Sequence, residues 1–257
     1  MLLPLVFLCF LSIDSLQVPH GWQTYTSTHI DTSITIDGRL DEAAWNSAEW
    51  SSPFVDILGS PGKTPLFQTR MKIVWNDEYL FLGAHLTEPD LWATIRTRDS
   101  VMYRDNDFEL FIDPDGDGRK YVELEINALG TVWDLLLMRT YREGGPALTD
   151  WNIKGLQSAV RLEGTLNNPA DRDSGWTVEI AIPWATFDTL GVMSVPPVPG
   201  DSWRMNFSRV EWKLEVIDGR YRKTGLPEDN WVWSPQGVIN MHLPERWGNV
   251  VFTDSRR

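Results

Sequence analysis

The sequence predicts an all-β chain: an antiparallel β-sandwich of the jelly-roll kind, with long loops and one or two short helices. Three observations carry this expectation. Alternating apolar and polar residues recur along nearly the whole 257-residue chain, the period of a half-buried strand. Clusters of Gly, Pro, Asn and Asp separate these runs as turn signals. No stretch has the 3.6-residue period of a long amphipathic helix. Many short strands between turns indicate a sandwich or jelly roll, and a chain of this length can bury one large core.

The elements follow in order. "MLLPLVFLCFLS" is apolar but shorter than the about 20 residues of a membrane span. It reads as the core of a signal peptide over residues 1–18, leaving a single domain over 19–257 with no membrane insertion. Cys9, the only cysteine, lies in this leader after Leu8, where a lipid-attachment site would carry a small residue. The mature chain would then have neither disulfide nor thiol chemistry. "PHGWQTYTSTH" reads as a polar approach segment and "SITID" (33–37) as a short strand. "LDEAAWNSA" (40–48) reads as one helical stretch with Asp41 as its N-cap.

"FQTRMKIVWNDEYLFLGAHL" (67–86) is a hairpin around Asn76-Asp77-Glu78. "DFELFID" and "YVELEIN" form a second hairpin, and "GTVWDLLLM" continues from it. "SAVRLEGTL", "GWTVEIAIP", "SWRMNFSRVEW" and "GNVVF" add four more strands. Long irregular segments interrupt the pattern at 51–66, 91–106, 139–154, 190–201 and 222–246. Loops of that length in a compact domain tend to carry function.

A formal net charge of −13 excludes the basic footprint that nucleic-acid binding requires, and it disfavours anionic membrane surfaces. It suits neutral ligands, cations or calcium. Fourteen tryptophans exceed what a core needs, and an exposed tryptophan offers a ligand a flat apolar face and an N–H donor.

Asp113, Asp115, Asp117 and Gly118 in "FELFIDPDGDGRKYVELEIN" match the start of an EF-hand loop. Its twelfth position, which needs a bidentate Glu, is Leu124, so this is no EF-hand. Pro114, Gly116 and Gly118 suit a tight turn between strands. The three aspartates remain the candidate ligands of a structural calcium; no cofactor is expected to be required.

With the turn at 114–120, Ile112 lies opposite Val122. Phe108, Leu110 and Ile112 then share the core face with Val122, Leu124 and Ile126. The other face carries Asp107, Glu109 and Phe111 opposite Asn127, Glu125 and Glu123. Glu109 and Glu125 become direct cross-strand neighbours, which like charges oppose. Lys72 or Arg70, a metal ion, or a hydroxyl-rich ligand would balance them; alternatively the face is open to water.

"ITIDGRLDEAAW", "MKIVWNDEYLFLGAHLTEPD", "DNDFELFID", "YVELEINALGTVWDLLL", "GWTVEIAIPWATF" and "RWGNVVF" together resemble the family 9 carbohydrate-binding modules over roughly residues 30–253. The resemblance implies a β-sandwich that binds sugars without cleaving them, often with structural calcium, within or beside secreted polysaccharide-degrading enzymes. It places a sugar-stacking ring at Tyr103, six residues before Glu109, and polar sugar contacts at Glu109, Glu125 and Asn127. The family carries an arginine where this chain has Glu125. The second ring of the family's clamp falls on Met241, with His242 beside it, so a two-ring clamp is not visible.

Alternation adds Lys72 and His85 to the same polar face, and 139–151 and 210–233 are expected to form a rim. Trp45, Trp75, Trp133, Trp176 and Trp184 read as core, and Glu179 as the partner of a basic residue. The expected function is non-catalytic saccharide binding by an exported module, with glycoside hydrolases acting nearby. Three rivals stand beside it. A glycosidase would need two carboxylates about 5–5.5 or about 6.5–9.5 Å apart. A haem-binding sandwich would draw axial ligands from His85, Met241 and His242. A structural accessory domain would have lost its ligand.

Overall fold

The computed structural model describes residues 22–254 except 189 and 193. The leader and Cys9 lie outside the described residues. Fifteen strands follow in chain order among them: β1 (Thr24–His29), β2 (Val55–Asp56), β3 (Thr69–Trp75), β4 (Tyr79–Thr87), β5 (Asp107–Asp113), β6 (Tyr121–Asn127), β7 (Val132–Leu137), β8 (Ala147–Leu148), β9 (Gln157–Glu163), β10 (Gly175–Pro183), β11 (Ser202–Glu211), β12 (Leu214–Ile217), β13 (Arg220–Lys223), β14 (Asp229–Val232) and β15 (Gly248–Thr253). One α-helical turn, Ala185–Asp188, and four 3-10 turns complete the described elements.

One sheet runs in the order β8-β7-β6-β5-β11-β15-β1-β3-β4-β10-β9, with β14 and β2 attached beside β11. It curls so that β5, β6 and β11 face β3, β4 and β10 across one core. That core includes Phe108, Leu110, Leu124 and Phe207 from one half and Ile73, Leu82, Val178 and Ile180 from the other. Alternation explains the inward set, since successive strand residues point to opposite faces.

The sheet is not wholly antiparallel. β1 pairs in parallel with both β15 and β3, and so joins the two halves. This strand lies in the segment expected to be a polar approach. Its Thr- and Ser-rich sequence hides the alternation, but Tyr25, Ser27 and His29 are buried. Tyr25 Oη donates to Glu49 O at 2.7 Å and accepts from Ile73 N at 3.1 Å.

Two smaller cores cover the outer faces of the sandwich. Trp45, Ile30, Ile34, Val74 and Phe81 pack on one side; Phe111, Tyr121, Leu135, Met102 and Trp247 pack on the other. As a result every residue of β5, β6 and β7 is buried, and the alternative of a water-exposed outer face is excluded.

Three local expectations are corrected on the first of these sides. Residues 33–37 form no strand. The helical stretch is a 3-10 turn, Ala43–Ser47, whose N-cap is Glu42 with no side-chain cap bond; Asp41 pairs with Arg39 at 2.8 Å instead. Glu179 meets no basic residue among the described residues. Its carboxylate accepts Trp45 Nε1 at 2.9 Å, Asp37 N at 2.9 Å and Gly38 N at 2.8 Å. Gly38 has φ +86°, and a side chain there would collide with the Val160–Arg161 backbone at 2.8–2.9 Å. Only glycine brings its N–H so close to Glu179.

Candidate functional site

The second hairpin has the expected register. Glu109 pairs with Glu125, Asp107 with Asn127 and Ile112 with Val122. The outward carboxylates form the floor of a cleft of about 450 Å³, lined by Glu109, Phe111, Glu123, Glu125 and Trp133 below. Its walls come from four of the five long segments: Ile57, Val101 and Tyr103, Tyr141, and Glu228 with residues 239–242. No lysine or arginine lines it.

Tyr103 sits in the 3-10 turn Met102–Arg104. Met102 anchors that turn in the outer core beneath the cleft. Tyr103 N donates to Glu125 Oε2 at 2.9 Å, and Trp212 Nε1 donates to Tyr103 O at 2.8 Å. The ring itself is 45% exposed.

Tyr141, 51% exposed, starts a second 3-10 turn that Gly144 closes at φ +81°. Its ring meets His242 edge-on at 4.5 Å. The cleft therefore has two exposed aromatic walls. Tyr141 reaches the cleft from a different loop than Met241, so spacing from Trp247 does not lead to it. The signal available was the Arg-Thr-Tyr-Arg-Glu-Gly-Gly sequence (139–145) of the expected rim.

Burial governs the electrostatics. Desolvation pushes the Glu109 carboxyl up to about 7. Desolvation first, and then the neighbouring carboxylates, hold Asp107, Glu123 and Glu125 well above the ordinary range. Taking a charge out of water disfavours its ionised form, and like charges add to that. Burial also lowers His242 to about 4, so its ring is neutral at pH 7 and shares a 3.0 Å hydrogen bond with Tyr121 Oη. Burial raises Tyr141 to about 12, with Glu123 and Glu125 adding to the effect. Two buried atoms of the cleft lining have no hydrogen-bond partner: Glu123 Oε2, an acceptor, and Trp133 Nε1, a donor.

Tyr103, Glu109, Glu125, Met241 and His242 thus come together as expected. Asn127 does not join them. Its Oδ1 accepts Leu129 N and Thr131 N at 3.1 Å, and its Nδ2 donates to Asp105 Oδ2 and Ile95 O at 2.9 Å. Asp105 in turn accepts Thr94 N at 2.6 Å and Ile95 N at 2.8 Å. Asn127 therefore fixes the loop that carries Tyr103.

Lys72 and His85 lie across the sandwich, because β3 and β4 belong to the opposite half. Lys72 Nζ donates to Trp45 O at 2.9 Å and stands 4.8 Å over the Trp50 ring. His85 Nε2 is 3.8 Å from Glu163. Neither Lys72 nor Arg70 balances the glutamates, and His85 cannot share an axial site with Met241 or His242. Trp231 and Trp233 belong to the central core.

Asp113, Asp115 and Asp117 bring ligand oxygens within 4.8 Å of one another, but they behave first as turn residues. Asp113 accepts Gly116 N at 3.2 Å and Gly118 N at 2.9 Å, and Asp117 accepts Arg119 N at 2.7 Å.

Comparisons agree with this architecture. The model of a family described as "Carbohydrate family 9 binding domain-like" matches residues 36–254. The exoglucanase XynX of Acetivibrio thermocellus is 28% identical over 165 residues, 64% of this chain and 13% of its own. The endo-1,4-beta-xylanase A of Thermoanaerobacterium saccharolyticum is 30% identical over 165 residues, 62% of this chain and 12% of its own. The chain thus spans about an eighth of those relatives. A proposed carbohydrate-binding protein from Bacteroides uniformis ATCC 8492 has the same fold at TM-score 0.64 and 19% identity, over 90% of this chain and 99% of that one. A family 9 carbohydrate binding module from Caldicellulosiruptor kristjanssonii in complex with cellotriose shares it at TM-score 0.54 and 17% identity, over 90% and 94%. No helix among the described residues is long and apolar enough to cross a membrane.

Proposed function

Because the chain belongs to the carbohydrate family 9 binding domain-like family, we propose that its cleft binds a saccharide without cleaving it. One observation carries this reading: an acceptor-rich floor lies beneath two exposed tyrosine rings. A pyranose offers C–H faces to aromatic rings and hydroxyl donors to carboxylates. Trp133 Nε1 and Glu123 Oε2 supply one free donor and one free acceptor at the same place.

Catalysis is disfavoured by geometry. Glu109 and Glu125 stand side by side on adjacent strands of one floor, whereas a glycosidase places its pair to flank the scissile bond. The reading includes export and action beside polysaccharide-degrading enzymes. Its first ligands to test are β-1,4-linked glucose and xylose chains, given the cellotriose complex and the two glycanase relatives.

The test is a titration of soluble glycans followed by tryptophan fluorescence, for which Trp133 is a reporter inside the cleft. A saturable change that Tyr103→Ala and Tyr141→Ala both weaken supports the reading. Silence across a broad panel would return the chain to the status of a structural accessory domain.

A further inference from the structure

The outer face of β5 and β6 lacks the positive charge that its carboxylates require. Asp107, Glu109 and Glu125 each offer one carboxylate oxygen, and these oxygens lie within 4.8 Å of one another. All three residues are at least 95% buried. Neighbouring groups satisfy them only in part. Asp107 Oδ1 accepts Val210 N at 3.4 Å and Glu125 Oε2 accepts Tyr103 N at 2.9 Å. Asp107 Oδ2 has no partner, and neither does Glu123 Oε2 on the adjoining residue pair. No salt bridge reaches any of the four among the described residues.

From this arrangement we infer that Asp107, Glu109 and Glu125 bind a divalent cation, calcium by its donor set, at the floor of the cleft. Three carboxylate oxygens with no histidine or cysteine among them form a hard site. Calcium holds its ligands at about 2.3–2.6 Å, so it spans oxygens about 5 Å apart. Asp107 is fully buried and lies behind the cleft surface. A bare ion can reach it, whereas an ammonium carried on a sugar ring cannot. The ion's open coordination positions face the cleft and receive ligand hydroxyls; this last step rests on the saccharide reading.

The test uses the full chain, stripped of metal with EDTA and titrated with terbium, whose luminescence Trp133 can sensitise, with calcium as competitor. The expected result is one saturable site displaced by calcium. Glu109→Gln and Glu125→Gln weaken it at least tenfold, and the Asp115→Asn/Asp117→Asn double variant leaves it intact. Glu109→Gln removes a buried charge without changing shape, and its melting curve in EDTA confirms that it folds. Absence of terbium binding in the wild type, or a loss that follows Asp115 and Asp117 instead, overturns the inference. Glycan titrations in calcium and in EDTA then separate the two readings. Undiminished glycan binding in EDTA overturns the ion's role and leaves the saccharide reading standing. A metal site with no glycan response does the reverse.

Discussion

Tyr103 donates its backbone N–H to Glu125 Oε2 at 2.9 Å, so the loop that presents an exposed ring is fastened to the acidic floor beneath it. Ring and carboxylate, although far apart in sequence, form a single unit. The side chain of Tyr103 makes no contribution to that bond. Tyr103→Ala should therefore keep the loop in place and lower saccharide affinity about tenfold, close to 1.4 kcal/mol. Tyr141→Ala should act in the same direction. Calorimetry of both variants beside their melting curves checks this, and an unchanged affinity in both would put the ligand elsewhere.

Asn127 predicts a different behaviour. It holds Asp105 and the 127–131 turn and stays outside the cleft. Asn127→Ala should loosen residues 94–105 and so weaken the ligand indirectly. Hydrogen exchange at Thr94 and Ile95 should quicken, whereas Tyr103→Ala leaves it slow. Equal protection in the two variants would contradict this assignment.

Arg209 is buried between Glu88 at 2.7 Å and Glu211 at 2.8 Å and stands 5.1 Å from the Trp231 ring. Arg209→Met leaves two buried carboxylates without their cation. It should cost about 3–5 kcal/mol in urea unfolding. Adding Glu88→Gln and Glu211→Gln should restore much of that loss; a triple variant as unstable as the single one would show that the arginine acts through packing alone.

Glu179 gathers three N–H groups of the 37–45 segment. Each buried donor left without an acceptor costs about 1–3 kcal/mol. Two of these donors, Gly38 N and Trp45 Nε1, are buried, so Glu179→Ala should destabilise the chain by about 2 kcal/mol at the least. Trp45→Phe removes one of the donors and should blunt the effect, which a double-mutant cycle measures.

His242 gives the pH prediction. Burial lowers its pKa to about 4, so between about 4 and 6.5 the unfolded chain binds a proton that the folded chain refuses. The stability contribution of His242 is complete above about 6.5 and falls as the pH drops toward 4. His242→Gln should flatten this acid limb. The imidazole resonances should show no titration down to about pH 5; a midpoint near 6.5 would mean that the ring is open to water.

Much of this was readable in advance, for reasons particular residues make plain. Ile112 and Val122 flank a short aspartate-rich turn, and period-two alternation leaves one register that buries both. That register placed Glu109 against Glu125. Lys72 and His85 also alternate correctly, but alternation says only which face of its own strand a residue occupies. It does not say which half of a curled sheet that strand joins. Asn127 was placed on the right face, and its four short hydrogen bonds to loop and turn were invisible because they depend on the fold of residues 93–105. Tyr141 escaped for the same reason. β1 was hidden because its residues are polar on both faces, Tyr25 excepted, so no apolar alternation marks the strand.

The parallel pairing of β1 with both β15 and β3 has a consequence in time. The first strand of the sheet in chain order is one that the finished sheet can seat fully only when its last strand is in place. One of its neighbours, Gly248–Thr253, is the last strand of the sheet in chain order. Until then the two halves can collapse on their shared core but cannot be stitched edge to edge. Such distant pairing is slow to form, and a nascent chain with β1 unplaced exposes open strand edges to its neighbours. Closure of the sheet is therefore expected to wait on β15, and removing either β1 or β15 should open the same seam.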